Sequence, residues 1–232
     1  LRGPVARAAA DLRLPTYFAL TEDQLVWSLD YKNWSLVIID NIMYHISGAV
    51  SLLMTHLDNG GRLIISSWTL RLGAFEPLDT YLGVYYESTV STPPTIDIWA
   101  PSHDVFNYPA AYTANNVTSP GDYGLTVGFT GLGLYGNATA VAGLGPGPDT
   151  SQVAIAVGVE ERAIVNGMLL SLYNVDTDDS AHPDNYELWE NEIAFLIERP
   201  FISSPADVSF EFGTTGHTVT WDTDSPIPFS LT

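Results

Sequence analysis

Two continuous apolar runs fix what the first third of this chain can become: Ser35-Leu36-Val37-Ile38-Ile39-Asp40 and Arg62-Leu63-Ile64-Ile65-Ser66-Ser67-Trp68. Neither alternates apolar with polar residues. Each is therefore a strand buried on both faces, the condition of a parallel strand covered by helices. Between them a helix is expected over roughly 45 to 58, stopped by Asp58-Asn59-Gly60-Gly61. Helices are also expected over 5–12, before Pro15, and over 76–83. Another should start at Thr21, where Gln24 three residues on completes a capping box. Residues 16–20, Thr-Tyr-Phe-Ala-Leu, have the texture of a short strand. This alternation predicts an α/β fold with a doubly wound, mostly parallel (flavodoxin-like) sheet.

Beyond about residue 90 the texture changes to short strands, turns and Gly/Thr-rich segments. Residues 151–169 predict a hairpin turning near Glu160 and Glu161. A helix over 186–198 carries Leu188, Trp189, Ile193 and Leu196 along one face. Past Pro200 the chain again alternates like strands, but the remaining residues are too few to close a sandwich. Two units are expected: an α/β domain over 1–200 and a partial β-sandwich over 201–232. The N-terminus has neither an initiating Met nor a signal-like apolar core, so the sequence reads as the middle of a longer chain.

Composition removes several functions. The chain has 8 Lys+Arg against 27 Asp+Glu, a formal charge of −19, which argues against a nucleic acid backbone or an anionic membrane as partner. It has no cysteine, so disulfides, thiolate metal sites and a cysteine nucleophile are excluded. The longest apolar stretch, around 50–57, is broken by His56 and followed by Asp58, far short of a membrane span. Asn33, Asn116 and Asn137 each begin an Asn-x-Ser/Thr sequon. With the acidic, hydroxyl-rich composition they point to an extracellular or cell-surface location.

The ordered set Trp34–Asn41, Asn59–Trp68, Trp99–Asn107, Arg162–Leu169 and Leu188–Leu196 resembles the class I glutamine amidotransferase-like modules of archaeal and bacterial cell-surface proteins. The similarity spans about residues 5–199. In that family a first strand precedes the helix that starts here at residue 5; it is missing from this sequence. The segment from Pro205 to Trp221 resembles the opening strands of an immunoglobulin-like repeat. The resemblance implies a Cys nucleophile after a buried strand, with a His and a Glu. This chain instead offers Ser66 and Ser67 at that turn, and His103 with Asp104 downstream, without a Gly-x-Ser-x-Gly elbow. Ser66, Ser67 and His103 are the residues an amide or glycan hydrolase would use. The plainer reading is that both serines end a buried strand.

The acidic stretch after Val175 fits a twelve-residue calcium loop: Asp176, Asp178, Ser180, His182 through its carbonyl, Asp184 and Glu187 fall at positions 1, 3, 5, 7, 9 and 12. Against Ca²⁺ stand Ala181 where glycine usually turns the loop, and Ser180 where Asp or Asn is usual. The alternative is a solvated loop whose acids favour the following helix N-terminus. Trp27, Trp34, Trp68, Trp99, Trp189 and Trp221 suit core packing better than a sugar platform. His45, His56, His103, His182 and His217 lack metal-ligand spacing. The glycines of 131–136 and 143–149 precede no phosphate-binding helix.

Together these features predict a non-catalytic extracellular structural or adhesive module of a surface or filament-forming protein. Self-association or contact with neighbouring surface domains is expected, polymerising by strand addition at unpaired sheet edges. A hydrolase and a carbohydrate-binding module are the rivals.

Overall fold

The computed structural model describes residues 3–40, 46–68, 70, 74–90, 94–119, 129–134 and 136–198, with the short strands at 201–202 and 223–224. His45, His217, Trp221 and nearly all of the expected immunoglobulin-like segment lie outside the described residues.

The chain opens with α1 (Pro4–Asp11), α2 (Glu22–Tyr31), β1 (Leu36–Asp40), α3 (Val50–Asp58) and β2 (Arg62–Ser66). Proline near the start of α1 is tolerated because the first N–H groups have no intrahelical partner. The capping box forms with one shift. Thr21 Oγ1 accepts from the Gln24 N–H at 3.3 Å, while Gln24 Oε1 accepts from the Leu20 N–H at 2.7 Å. At the end of α3, Gly60 takes φ +84°, and the N–H groups of Gly60 and Gly61 close on the carbonyls of Leu57 and His56. That is the stop the sequence announced.

After α4 (Glu76–Leu82) come β3 (Val84–Val90), β4 (Ile96–Ile98), β5 (Asn116–Val117), β6 (Phe129–Leu134), β7 (Thr139–Gly143), β8 (Val153–Gly158) and β9 (Ala163–Asn166). The helix α5 (Asp184–Glu198) follows, then the pair β10 (Phe201–Ile202) and β11 (Thr223–Asp224). One nine-stranded sheet holds β1 to β9, its main path running β1-β2-β9-β8-β7-β4-β5, with β3 and β6 branching from β8. β1, β2 and β9 are parallel. Their register sets Ile39 opposite Ile65, Ile65 opposite Val165 and Ser66 opposite Asn166. The hairpin β8–β9 and the strands beyond it are antiparallel.

Successive residues of the parallel strands enter different cores, which is why these runs are apolar throughout. Ile64, Ile155 and Ile164 pack with Trp189, Ile193 and Ala9 on the face covered by α1 and α5. Val37, Ile39, Leu63, Ile65 and Val165 pack with Leu53, Leu57 and Leu78 on the face covered by α2, α3 and α4. The sheet is therefore doubly wound, as the sequence implied. Residues 16–20 differ from expectation. They are exposed and form no strand, because a groove separates them from β1 and they have no ladder partner.

The close packing of α4 against the hairpin gives a test. A Cβ at Gly158 would stand 2.4 Å from the carbonyl oxygen of Leu82. Backbone cannot step aside cheaply, so G158A is expected to cost about 1–3 kcal/mol, read as a lower urea midpoint.

Candidate functional site

The β1 edge of the parallel sheet is open among the described residues. Among the described residues β1 pairs only with β2, so half of its backbone N–H and C=O groups face away from any ladder. Along that free edge runs a groove of ≈ 1120 Å³. One wall is the extended segment 14–22 and the opposite side is Ser35–Asp40. Val5 and Ala9 of α1 with Ile193 and Ile197 of α5 close one face; Leu25 and Leu29 of α2 close the other. These surfaces are apolar above and below, with free hydrogen-bonding groups between. This is the environment of a central parallel strand.

The mouth is apolar as well. Of the seven large apolar side chains exposed among the described residues, Tyr17, Phe18, Leu20, Trp27 and Tyr31 fall within fifteen consecutive positions beside the groove. Leu20 is 83% exposed. Tyr17 stacks on Trp34 with centroids 5.8 Å apart, Lys32 lies over both rings, and Trp34 Nε1 donates to the Ser28 carbonyl at 2.9 Å. This clasp ties segment 14–20 to the residues just before β1.

At the carboxyl ends of the parallel strands lies a buried polar network. Ser66 Oγ accepts from the Leu170 N–H at 2.8 Å and stands 3.0 Å from both Asp40 Oδ1 and the Met168 carbonyl, to either of which it donates. Ser171 Oγ donates to Asp40 Oδ2 and accepts from Trp189 Nε1 at 3.2 Å. Asn185 Nδ2 donates to the Ser171 carbonyl at 2.7 Å. Asn166 Nδ2 donates to Glu192 Oε2 at 3.0 Å, while Glu192 Oε1 and Asn166 Oδ1 have no partner. Burial raises the Asp40 carboxyl above its ordinary range and pushes Glu192 up to about 8. A protonated Glu192 carries no buried charge and leaves one acceptor fewer to satisfy. The network clamps the sheet to α5.

The serine–histidine constellation is not assembled. Ser66 is wholly buried and its hydroxyl is committed to Asp40, Met168 and Leu170. Ser67 is buried beside it, its N–H donating to the Asn166 carbonyl at 3.1 Å. His103 caps a 3-10 turn over 104–106, its Nδ1 accepting from the Val105 N–H at 3.2 Å, and its ring lies 5.2 Å from Phe195. It borders a separate cavity beside the turn 159–162, at the amino ends of the strands. Ser66 sits at the carboxyl ends, next to the start of α5.

The sugar platform fails on exposure: among the described tryptophans only Trp27, at 49%, is exposed. The sequon residues Asn33 and Asn137 are exposed, and Asn116 is half-buried in β5. Among the described residues no helix is long and apolar enough to cross a membrane.

The acidic loop is closed by its own carboxylates. Asp176 accepts from the N–H groups of Ser180 and Ala181 at 3.1 and 3.0 Å. Asp178 accepts from Ser180 at 3.1 Å and from the Thr113 N–H at 3.0 Å. Asp184 accepts from the Thr177 N–H at 2.8 Å and from its hydroxyl at 2.5 Å. Ser180 Oγ and the His182 carbonyl are 3.3 Å apart, and Glu187 is buried in the first turn of α5. The sequence patterns located this loop and the end of the parallel strands. They missed Glu192, Asn166 and Ser171, whose signal was only a polar residue inside an apolar frame.

Family models and curated proteins give no match. Among solved structures the chain is similar to a protein of Thermoplasma acidophilum provisionally assigned as one subunit of GMP synthase. The two are 11% identical, covering 82% of this chain and 85% of that one, with a TM-score of 0.48. The likeness concerns the fold alone, an α/β fold around a doubly wound sheet. The expectation of a non-catalytic extracellular structural or adhesive module is corrected here. The similar protein is assigned as part of an enzyme, and no described feature supplies evidence for such a role.

Proposed function

We propose that this chain is a peptide-binding α/β module whose principal site is the slot beside β1, where it takes up an extended, apolar polypeptide segment as an added parallel strand. The observation that carries this reading is the groove of ≈ 1120 Å³ along an unpaired edge. Main-chain hydrogen bonds to β1 would supply affinity, and the two apolar faces would select the side chains. Because both faces are covered, the incoming strand is apolar at every position, unlike the alternating strands of a half-exposed sheet. β1 has five residues, so the site matches a segment of five or six residues. A second copy of the chain is one source of such a segment; a sedimentation experiment across protein concentrations tests that source.

The direct test uses the full chain and a designed peptide, Lys-Val-Ile-Val-Ile-Val-Lys, labelled for fluorescence anisotropy. Saturable binding is expected, with at least a tenfold loss when alternate peptide nitrogens are methylated on the edge that faces β1. Equal binding of the methylated peptide would show simple greasy adsorption. Thr16→Trp, which narrows the slot from its exposed outer wall, is expected to weaken binding at least tenfold while the protein stays folded.

Location outside the cell stays a proposal of the same standing. Exposed Asn33 and Asn137 support it, and mass spectrometry of the native protein for glycans on those two residues tests it.

A further inference from the structure

The slot beside β1 is apolar along its length and charged at its two ends. Among the described residues that line it, the carboxyl and amino side chains are Glu22, Asp40 and Lys32. α2 runs alongside β1 in the opposite sense, which separates these groups by sign. Lys32 caps the carboxyl end of α2 and stands just before β1 begins at Leu36. Glu22 opens α2 at the other end, where its Oε1 accepts from the Gly48 N–H at 2.8 Å, past the point at which β1 finishes at Asp40. The amino end of β1 is therefore basic and its carboxyl end acidic.

Lys32 is the sole lysine of a chain of formal charge −19, and it is exposed. Its Nζ lies 5.4 Å from the ring centroids of both Tyr17 and Trp34. That contact fixes the ammonium at the mouth of the slot without using a carboxylate. The α2 dipole has the opposite sense, but it amounts to only about half a charge at each end. Glu22 and Asp23 outweigh it in the first turn, and Lys32 outweighs it after the last.

We propose that the slot takes a segment of another polypeptide in which an acidic residue, five apolar residues and a basic residue follow in that order. This rests on the strand-accepting role proposed above and adds the partner's charge order to it. A strand added parallel to β1 begins beside the amino end of β1 and finishes beside its carboxyl end. A leading Asp or Glu then meets Lys32, and a trailing Lys or Arg meets Glu22 and Asp40. The reversed order sets like charges together at both ends, which rejects a partner as well as good contacts attract one. Each pair at the mouth is partly solvated and weak alone. Reversal loses two attractions and gains two repulsions, which together give a preference of about tenfold. Nowhere in residues 1–232 do an acid, five apolar residues and a base follow one another. A second copy of these residues therefore lacks the matched segment, and a different chain supplies it.

The full chain is titrated with two peptides of identical composition, Glu-Val-Ile-Val-Ile-Val-Lys and Lys-Val-Ile-Val-Ile-Val-Glu, both acetylated and amidated so that their termini are neutral. The first is expected to bind about tenfold more tightly at low salt, and the preference should shrink to about twofold in roughly 0.5 M salt. A diazirine at its amino end should crosslink to residues 32–35 and not to Asp40 or Ile46. Lys32→Glu changes an exposed side chain, so the protein stays folded, and it should bring the two affinities within about twofold of each other. Equal affinities for the parent, tighter binding of the reversed peptide, or a preference that K32E leaves intact overturns the charge order. If both peptides still weaken when their β1-facing nitrogens are methylated, the slot itself survives that result. Absence of binding by either peptide overturns the slot and the charge order together.

Discussion

Glu192→Gln is expected to raise the melting temperature at pH 8.5 and to flatten the pH dependence of stability. Glu192 is fully buried, its carboxyl is pushed up to about 8 by burial, and one oxygen lacks a donor. In the unfolded chain the same group titrates near the ordinary glutamate value. The folded state therefore binds the extra proton between roughly pH 4.5 and pH 8. Stability from this group is fully present below the lower value and is lost as pH rises through the upper one. Asp79, also pushed up to about 8 by burial and by Glu76, acts in the same direction. The parent should be more stable near pH 5 than near pH 8.5. Glutamine reproduces the size and neutrality of the protonated acid and keeps an oxygen to accept from Asn166 Nδ2. A parent melting temperature that rises between pH 5 and pH 8.5 would contradict the clamp.

Trp189→Ala should cause the largest loss of stability from a single side chain. Trp189 is wholly buried on α5, inside the core that joins α1 and α5 to the sheet, and its Nε1 donates to Ser171 Oγ. Truncation leaves a cavity and frees Ser171 from one of its two partners, a cost of about 3–5 kcal/mol. That is a large share of a typical domain's stability. Trp189→Phe keeps most of the volume but loses the indole donor, so about 1–3 kcal/mol is expected. Urea denaturation followed by far-UV circular dichroism separates the two variants. Equal midpoints for both would mean that the hydrogen bond to Ser171, not the packing, carries the effect.

The sequence displayed the parts of the fold whose cause is local. Leu36–Asp40 and Arg62–Ser66 announced buried strands because both faces are covered, and Gly60 announced the end of α3 because its conformation needs no Cβ. The turn at Glu160 and Glu161 was legible too. What no local pattern shows is which strand neighbours which. Residues 16–20 have strand composition, yet they lie across a groove from β1 and form no ladder. The same limit applied to Ser66 and His103. Each stood in a suggestive place along the chain, but β2 ends at Ser66 beside Asn166, while β4 runs antiparallel to β7 and carries His103 toward the other end of the sheet. Glu192 went unnoticed because a glutamate on a helix is ordinarily solvated, and only the packing of α5 buries it.

Hydrogen–deuterium exchange over Leu36–Asp40, with and without the designed strand peptide, tests the slot most directly. Without peptide, the amides that face the groove should exchange far faster than those bonded to β2. With saturating peptide they should slow by at least tenfold, while amides of β4 and β5 at the far end of the sheet stay unchanged. If β1 is already fully protected in the free protein, or gains no protection when the peptide binds, the slot does not accept a strand and the proposed function is wrong.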